Sequence, residues 1–221
     1  MAMSFFTDNE TVLRFLHVLS GITWIGMLYF FNFVNLPLLK LQLNKPYEVN
    51  MAEKATAPII AKTLFFFRWG AAFTVLFGLA LLYGHRIEYS DAMKSTDVAV
   101  RFPVYAILTG VLFGLIMAFN VWFVIWPRQQ KILVNNKAIA ASADEAEKKR
   151  LGDANAPMVK EAVLASRINT WLSVPMLWGM IFGAHGTSGT TARAWLFPLA
   201  VLAVVLLLMV AYSQAPKKKA A

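Results

Sequence analysis

Apolar residues in this chain fall into five runs, at about residues 12–34, 62–83, 104–126, 163–185 and 195–212. A helix needs roughly 20 such residues to cross the ~30 Å hydrocarbon core of a bilayer, and each run meets or approaches that length. The runs take up about half of the chain, which leaves no room for a second, soluble domain. We therefore expect an all-α integral membrane protein, with a bundle of five transmembrane helices in one membrane domain at residues 1–213.

The composition supports a membrane protein and excludes several other classes. Of the 221 residues, 58% are hydrophobic and 14% are aromatic, a load that a water-soluble domain would not carry. The net charge of +9 could indicate nucleic-acid binding. The lysines, however, lie between the apolar runs and in the tail at 217–219, where cationic residues mark cytoplasmic loops. We therefore expect no nucleic-acid partner.

The distribution of lysine and arginine predicts an orientation. Thirteen of them fall in the segments 33–59 and 127–161 and in the C-terminal tail, against five on the opposite side. By the positive-inside rule the N-terminus lies outside, and the loop 127–161 and the basic tail 214–221 are cytoplasmic. The expected location is the bacterial inner membrane, in a multi-pass arrangement. Within the loop, Ser142 and Glu145 fit a capping box that would open a short helix from Ala146 to Leu151.

Three histidines give the chain its candidate chemistry. With the predicted orientation, His17, His85 and His185 all fall in the outer part of the membrane. Ionisable side chains inside spans are costly and usually functional. Imidazole suits haem iron, zinc or copper. The absence of carboxylates within the spans and the apolar, aromatic and glycine neighbours favour haem.

These observations predict haem b, with His17 and either His185 or His85 as axial ligands to the iron. The chain has no cysteine, so covalent haem attachment is excluded and packing would hold the cofactor. The alternative interpretation is that the histidines are anchors at the membrane surface.

Small and aromatic residues near these histidines are candidate cofactor contacts. Gly21 and Trp24 share a helix face with His17, and a small residue one turn away leaves room for a porphyrin plane. Gly110 and Gly114 form a small-xxx-small pattern, which permits close approach of a flat cofactor or of another helix. Both alternatives stay open at this pair.

A second polar cluster is expected near the cytoplasmic side. Its members are Arg68, Asn120, Arg167 and Asn169, with Asn32 and Asn35 at a similar depth. A guanidinium with several amides could hold a planar anion, a quinone headgroup or haem propionates. Alternatively, the arginines extend to the interface and the asparagines only bridge helices.

Three long motifs carry a resemblance to a known family. Residues 17–30 read HVLSGITWIGMLYF, residues 119–131 read FNVWFVIWPRQQK and residues 169–177 read NTWLSVPML. Together they resemble the N-terminal membrane domain of the bacterial membrane-bound urate hydroxylases, here in a short form without the cytochrome c domain. The resemblance implies a membrane oxidoreductase, with haem-linked oxidation of urate and electrons leaving through cytochrome c.

The sequence therefore leads to three functional hypotheses. The first is a haem b redox protein that passes electrons to a periplasmic cytochrome c or to a subunit of a respiratory complex. The second is a membrane enzyme that oxidises urate. The third is a structural or assembly subunit without a cofactor. Association of several copies of the chain is compatible with all three.

Overall fold

The computed structural model describes residues 9–37 and 49–185, and of residues 49–58 it describes the backbone. This part of the chain is helical and contains no strand. The α-helices are α1 (Glu10–Tyr29), α2 (Val49–Gly84), α3 (Arg86–Lys94), α4 (Val98–Phe119), α5 (Trp126–Ala141) and α6 (Glu145–His185). Two π-helical segments, π1 (Phe30–Asn35) and π2 (Asn120–Ile125), continue α1 and α4.

Three stretches of helix are long and apolar enough to cross a membrane, namely Glu10–Asn35, Ile59–Gly84 and Val98–Ala141. They include the first three predicted runs, so the described residues confirm an all-helical fold with three helices that could span a membrane. The fourth predicted run, 163–185, is helical within α6 but less apolar, because Asn169, Ser173 and His185 interrupt it. The fifth run and the basic tail at 214–221 lie outside the described residues.

The starts of α4 and α6 have the same local construction. The amide of Ala99 donates to the Asp97 carboxylate (2.8 Å), and the amide of Ala146 donates to the Asp144 carboxylate (2.9 Å). In each case the aspartate amide donates to a serine two residues earlier. A carboxylate at this position satisfies an amide that has no partner within the helix.

The sequence correctly predicted where α6 begins, but it predicted the wrong capping residue and too short a helix. The residue that caps the helix is Asp144, not Ser142. The helix then continues to His185, far beyond the predicted end at Leu151. The segment 127–161 is consequently helical on both sides of a break at residues 142–144, rather than a loop with one short helix.

Contacts with α5 support part of α6 beyond Leu151, where the predicted helix ended. The Asn155 side chain is buried, accepts a hydrogen bond from Asn135 (2.8 Å) and donates one to Asn136 (2.9 Å). Arg128 pairs with Glu161 further along. The contacts between α5 and α6 thus form an antiparallel helical hairpin.

The chain divides into two compact units. The first unit comprises Met1–Ile87 and Gly114–Thr170, and the second comprises Glu88–Phe113 and Trp171–Ala221. In the first unit, α1 and α2 pack antiparallel and approach closely at Gly70. A Cβ there would lie 3.1 Å from the backbone nitrogen of Trp24. Trp24, Leu28 and Phe67 are nearly inaccessible and form the core of this unit.

Glycines bring the helices together in the second unit. A Cβ at Gly179 of α6 would lie 2.5 Å from the carbonyl oxygen of Ala106 on α4. One at Gly183 would lie 2.6 Å from the Cβ of Ile107. The two helices therefore meet backbone to backbone, as small-xxx-small seams allow.

Candidate functional site

His17 lies in the interface between α1 and α2. Its Nδ1 is 2.8 Å from the carbonyl oxygen of Thr74. Because a carbonyl oxygen only accepts, Nδ1 carries the hydrogen, and in the neutral ring Nε2 keeps its lone pair. A Cβ at Gly78 would lie 2.9 Å from Cε1 of the ring, so the imidazole occupies the space that glycine leaves. The interface thus holds this histidine in one tautomer.

His85 contacts an ion pair, Glu10 with Arg14, where α1 begins and α2 ends. Its Nε2 is 3.3 Å from the Glu10 carboxylate and 3.4 Å from the Arg14 guanidinium. Glu10 and Arg14 are themselves paired at 2.6 Å. His85 follows Gly78, the contact of His17, by seven residues, which is roughly 10 Å along a helix. The two rings therefore have separate partners at separate levels of the helix pair.

His185 is the last described residue and closes α6 in the second unit, where its side chain is exposed. Among the described residues, no group of three or more His, Cys, Asp or Glu side chains could hold a metal ion. The expected pairing of His17 with His185 around a haem iron stays a prediction.

The predicted cofactor contacts beside His17 are packed by protein. A Cβ at Gly21 would touch the Thr74 methyl group at 3.8 Å, an ordinary contact with α2. Trp24 is 1% exposed and lies against the backbone of Gly70. Both residues thus contribute to the packing of α1 on α2.

Of the two alternatives for the Gly110/Gly114 pair, the structure shows helix packing at Gly110. A Cβ there would lie 3.0 Å from the Met176 carbonyl oxygen and from the Met180 nitrogen. The backbone of α6 fills the space that a flat cofactor would need. Gly114 is buried in the first unit.

The predicted asparagines do come together in the first unit. Asn120 donates to the side-chain oxygen of Asn169 (2.8 Å), and Asn169 donates to the carbonyl of Met117 (2.9 Å). Asn169 is completely inaccessible. These amides bridge α6 to the end of α4 and the start of π2. Their hydrogen bonds agree with the alternative in which the asparagines only connect helices.

A neighbouring amide is only partly satisfied. Asn32 in π1 donates to Ser166 (2.8 Å) and to the carbonyl of Leu28 (2.9 Å). Its side-chain oxygen is buried and has no hydrogen-bond partner within the described residues. Arg167, beside Ser166, is half-buried.

Both π-helical segments lie beside these polar groups. Asn32 is in π1, and Asn120 is the first residue of π2. Such segments are rare and often mark functional sites, because the wider turn redirects side chains. The sequence offered no signal for them, since a π-turn differs from an α-turn in register rather than in composition.

Arg68 is surrounded by tryptophan rings. Its guanidinium carbon is 3.8 Å from the ring centre of Trp126, 5.3 Å from that of Trp122 and 5.6 Å from that of Trp69. Trp69 and Trp122 meet edge to face at 5.8 Å. We call these four residues the Arg68 box. The Nε atom of Arg68 is buried and has no hydrogen-bond partner in the described part of the chain.

The sequence singled out Arg68 but not the three rings around it. Trp122 and Trp126 are four residues apart, a spacing that places side chains on one side of a helix. That spacing was the available signal. It did not show which charged group the rings would meet, because Arg68 lies more than fifty positions earlier in the chain.

Comparison with protein-family models, with curated proteins and with solved structures finds no match to this chain. The resemblance to urate hydroxylases, and with it urate oxidation, stays a prediction from the motifs.

Proposed function

We propose that this chain is a membrane protein that binds haem b and transfers electrons, with His17 as one axial ligand. The observation that supports this proposal is the hydrogen bond from His17 Nδ1 to the carbonyl of Thr74. Metal-ligating histidines generally donate their other ring hydrogen to a carbonyl or carboxylate, which fixes the tautomer and the orientation of the ring. When bound, the haem supplies one-electron chemistry at a potential set by its ligands and its burial.

Residues around His17 have distinct roles in this proposal. Thr74 supplies the carbonyl, and its own hydroxyl donates to the carbonyl of Gly70 (2.7 Å), so no unpaired hydroxyl faces the ring. Gly78 leaves the space for the imidazole. Together they orient His17 before any cofactor binds, which reduces the cost of assembling the site.

The second ligand in the proposal is the one that the sequence predicted, His185, whose side chain is exposed at the end of α6. His85 is the less favourable choice, since it would first have to leave Glu10. The proposed electron acceptor is a periplasmic cytochrome c or a respiratory-complex subunit.

The test is a reduced-minus-oxidised absorption spectrum of the full chain purified from membranes and supplied with haem. We expect a b-type α-band in the parent protein, its loss in His17→Ala and its retention in His85→Ala. Gly78→Ala should broaden or remove the band by displacing the ring, whereas Gly26→Ala, where no atom lies within 4 Å of the added carbon, should not. A band unchanged in His17→Ala would disprove the assignment.

The same contacts favour a second candidate function. A histidine packed between two helices and bonded to a carbonyl is also a stable structural element, as in an assembly subunit without a cofactor. For that function, the haem-supplied protein has no α-band, and His17→Ala lowers only its thermal stability. The spectrum and a thermal melt of the same sample separate the two candidates.

A further inference from the structure

We propose that the Arg68 box binds the headgroup of a lipid-soluble quinone. The box combines a guanidinium, three indole rings and a buried Nε–H without an acceptor. This inference rests on contacts separate from those of His17 and does not depend on haem binding.

The stacking of Arg68 determines where an acceptor can approach. The ring of Trp126 lies 3.8 Å from the guanidinium carbon, close enough for direct stacking. A cation–π contact uses the face of the guanidinium, whereas its N–H groups point outward in its plane. The group therefore retains donors directed past the tryptophans. An oxygen atom of a ligand can accept from them while the stack stays intact.

The depth of Arg68 restricts the source of that oxygen. Arg68 follows Lys62, the start of the second apolar run, by six residues, or roughly 9 Å. A helix over residues 62–83 is about 33 Å long, so in a ~30 Å core Arg68 lies roughly 7 Å inside the hydrocarbon boundary. Phospholipid phosphates lie outside that boundary. An acceptor at this depth belongs to a molecule that enters the membrane interior.

The surface beside the box has the character expected for entry from lipid. Trp69 is 38% exposed, and the exposed ring of Phe73 lies 5.7 Å from it. Phe119 and Phe123, on either side of the start of π2, are more than half exposed, and their ring centres are 4.9 Å apart. An isoprenoid tail can lie along these rings.

A quinone uses all the features of the box. Its ring is flat and stacks on indole, its two carbonyl oxygens accept N–H groups, and its tail is apolar. A fatty acid or an anionic phospholipid would pair with the guanidinium but has no flat ring to stack on the exposed part of Trp69. For this reason we assign the site to a quinone rather than to an anionic lipid.

The test uses the full chain in nanodiscs of uncharged phosphatidylcholine, titrated with decylubiquinone. Binding is followed by quenching of tryptophan fluorescence. We expect saturable quenching in the parent protein, an affinity at least tenfold weaker in Arg68→Gln and a several-fold loss of affinity in Trp126→Phe.

The matched control is Arg86→Gln. Arg86 also stacks on a ring, that of Tyr83 at 3.9 Å, but already donates to the Tyr83 carbonyl. Its replacement should leave the affinity unchanged.

A lysine variant separates a quinone from an anionic lipid. Arg68→Lys keeps the charge and loses the planar fork. We expect quinone affinity to fall in this variant and phosphatidylglycerol in the nanodisc not to compete. Retained affinity, or displacement of decylubiquinone by phosphatidylglycerol, would overturn the proposal in favour of a lipid site.

Photolabelling of the unaltered protein provides a test that does not depend on folding of the variants. An azidoquinone should label peptides from α2, π2 and the start of α5, with excess decylubiquinone suppressing the label. Labelling confined to other helices would contradict the proposal.

Discussion

Both units of this protein bring helices together at glycines, at Gly70 in the first unit and at Gly179 in the second, but the contacts that accompany this approach differ. In the first unit, side chains bridge the helices through hydrogen bonds and stacked rings, as Asn169 and the Arg68 box illustrate. In the second unit, glycines allow backbone to touch backbone, as at Gly179. A close contact between helix backbones leaves no space for a ligand. Buried side-chain atoms without a hydrogen-bond partner among the described residues occur in both units, Arg68 Nε in the first and Arg101 Nε in the second, and both proposed ligand sites include residues of the first unit.

The largest expected effect is on the glycine seam. Gly179→Ala adds a carbon at 2.5 Å from the Ala106 carbonyl oxygen, so α4 and α6 must separate. We expect a loss of about 3 kcal/mol, since overpacking a tight contact costs roughly 1–3 kcal/mol and occasionally more. Denaturant unfolding of the purified chain measures this loss in the free energy of unfolding.

The matched control is Gly152→Ala in α6. No atom lies within 4 Å of the added carbon, and alanine favours a helix by up to about 1 kcal/mol over glycine. We expect this variant to be as stable as the parent or slightly more stable. A destabilisation equal to that of Gly179→Ala would mean that helix propensity, not contact, governs both positions.

A smaller effect is expected in the amide bridge of the first unit. Asn169→Leu removes two hydrogen bonds and leaves the Asn120 donor unpaired, which costs about 2 kcal/mol. The double variant with Asn120→Leu should recover part of that loss, because both partners are then apolar. Additive losses in the double variant would show that the two amides do not act as a pair.

A weaker polar contact closes the hairpin of α5 and α6. Asn155→Ala should lower stability by about 1–2 kcal/mol and increase proteolytic cleavage near residues 142–144, because buried Asn155 links to both Asn135 and Asn136. Lys149→Ala, which removes an exposed pair with Asp153, should change neither measurement. Equal cleavage in both variants would contradict a role for the asparagines.

The smallest expected effect depends on pH. Hydrogen bonds from Arg150 hold the pKa of the exposed Glu147 below its ordinary value of 4.5. A carboxylate with a lowered pKa in the folded state stabilises the fold above 4.5, and this contribution disappears as the pH falls below that value. In Arg150→Ala, the slope of stability against pH should therefore be slightly shallower below 4.5. An unchanged slope would show that the exposed pair makes no contribution.

The sequence predicted the fold class better than the site. The apolar runs correctly placed three helices of membrane length, because the required length and composition are local properties. The extent of α6 was missed, since its continuation past Leu151 is supported in part by Asn135 and Asn136 on another helix.

Among the candidate site residues, Arg68, Asn120 and Asn169 were predicted from the sequence because polar groups stand out in apolar runs. It did not identify the tryptophans around Arg68, which look like ordinary membrane residues. Nor could it choose between helix and cofactor at Gly110, since the same small-residue spacing serves both.

By itself, the sequence determined that this chain forms long apolar helices, because backbone hydrogen bonds and hydrophobic length depend on neighbours along the chain. Only the tertiary structure decided the partners of the polar side chains. His17 meets a carbonyl 57 residues away, and Asn32 meets a serine 134 residues away. Such pairings depend on how helices align in space, through contacts like that of Gly70 with Trp24, and helix composition does not encode them.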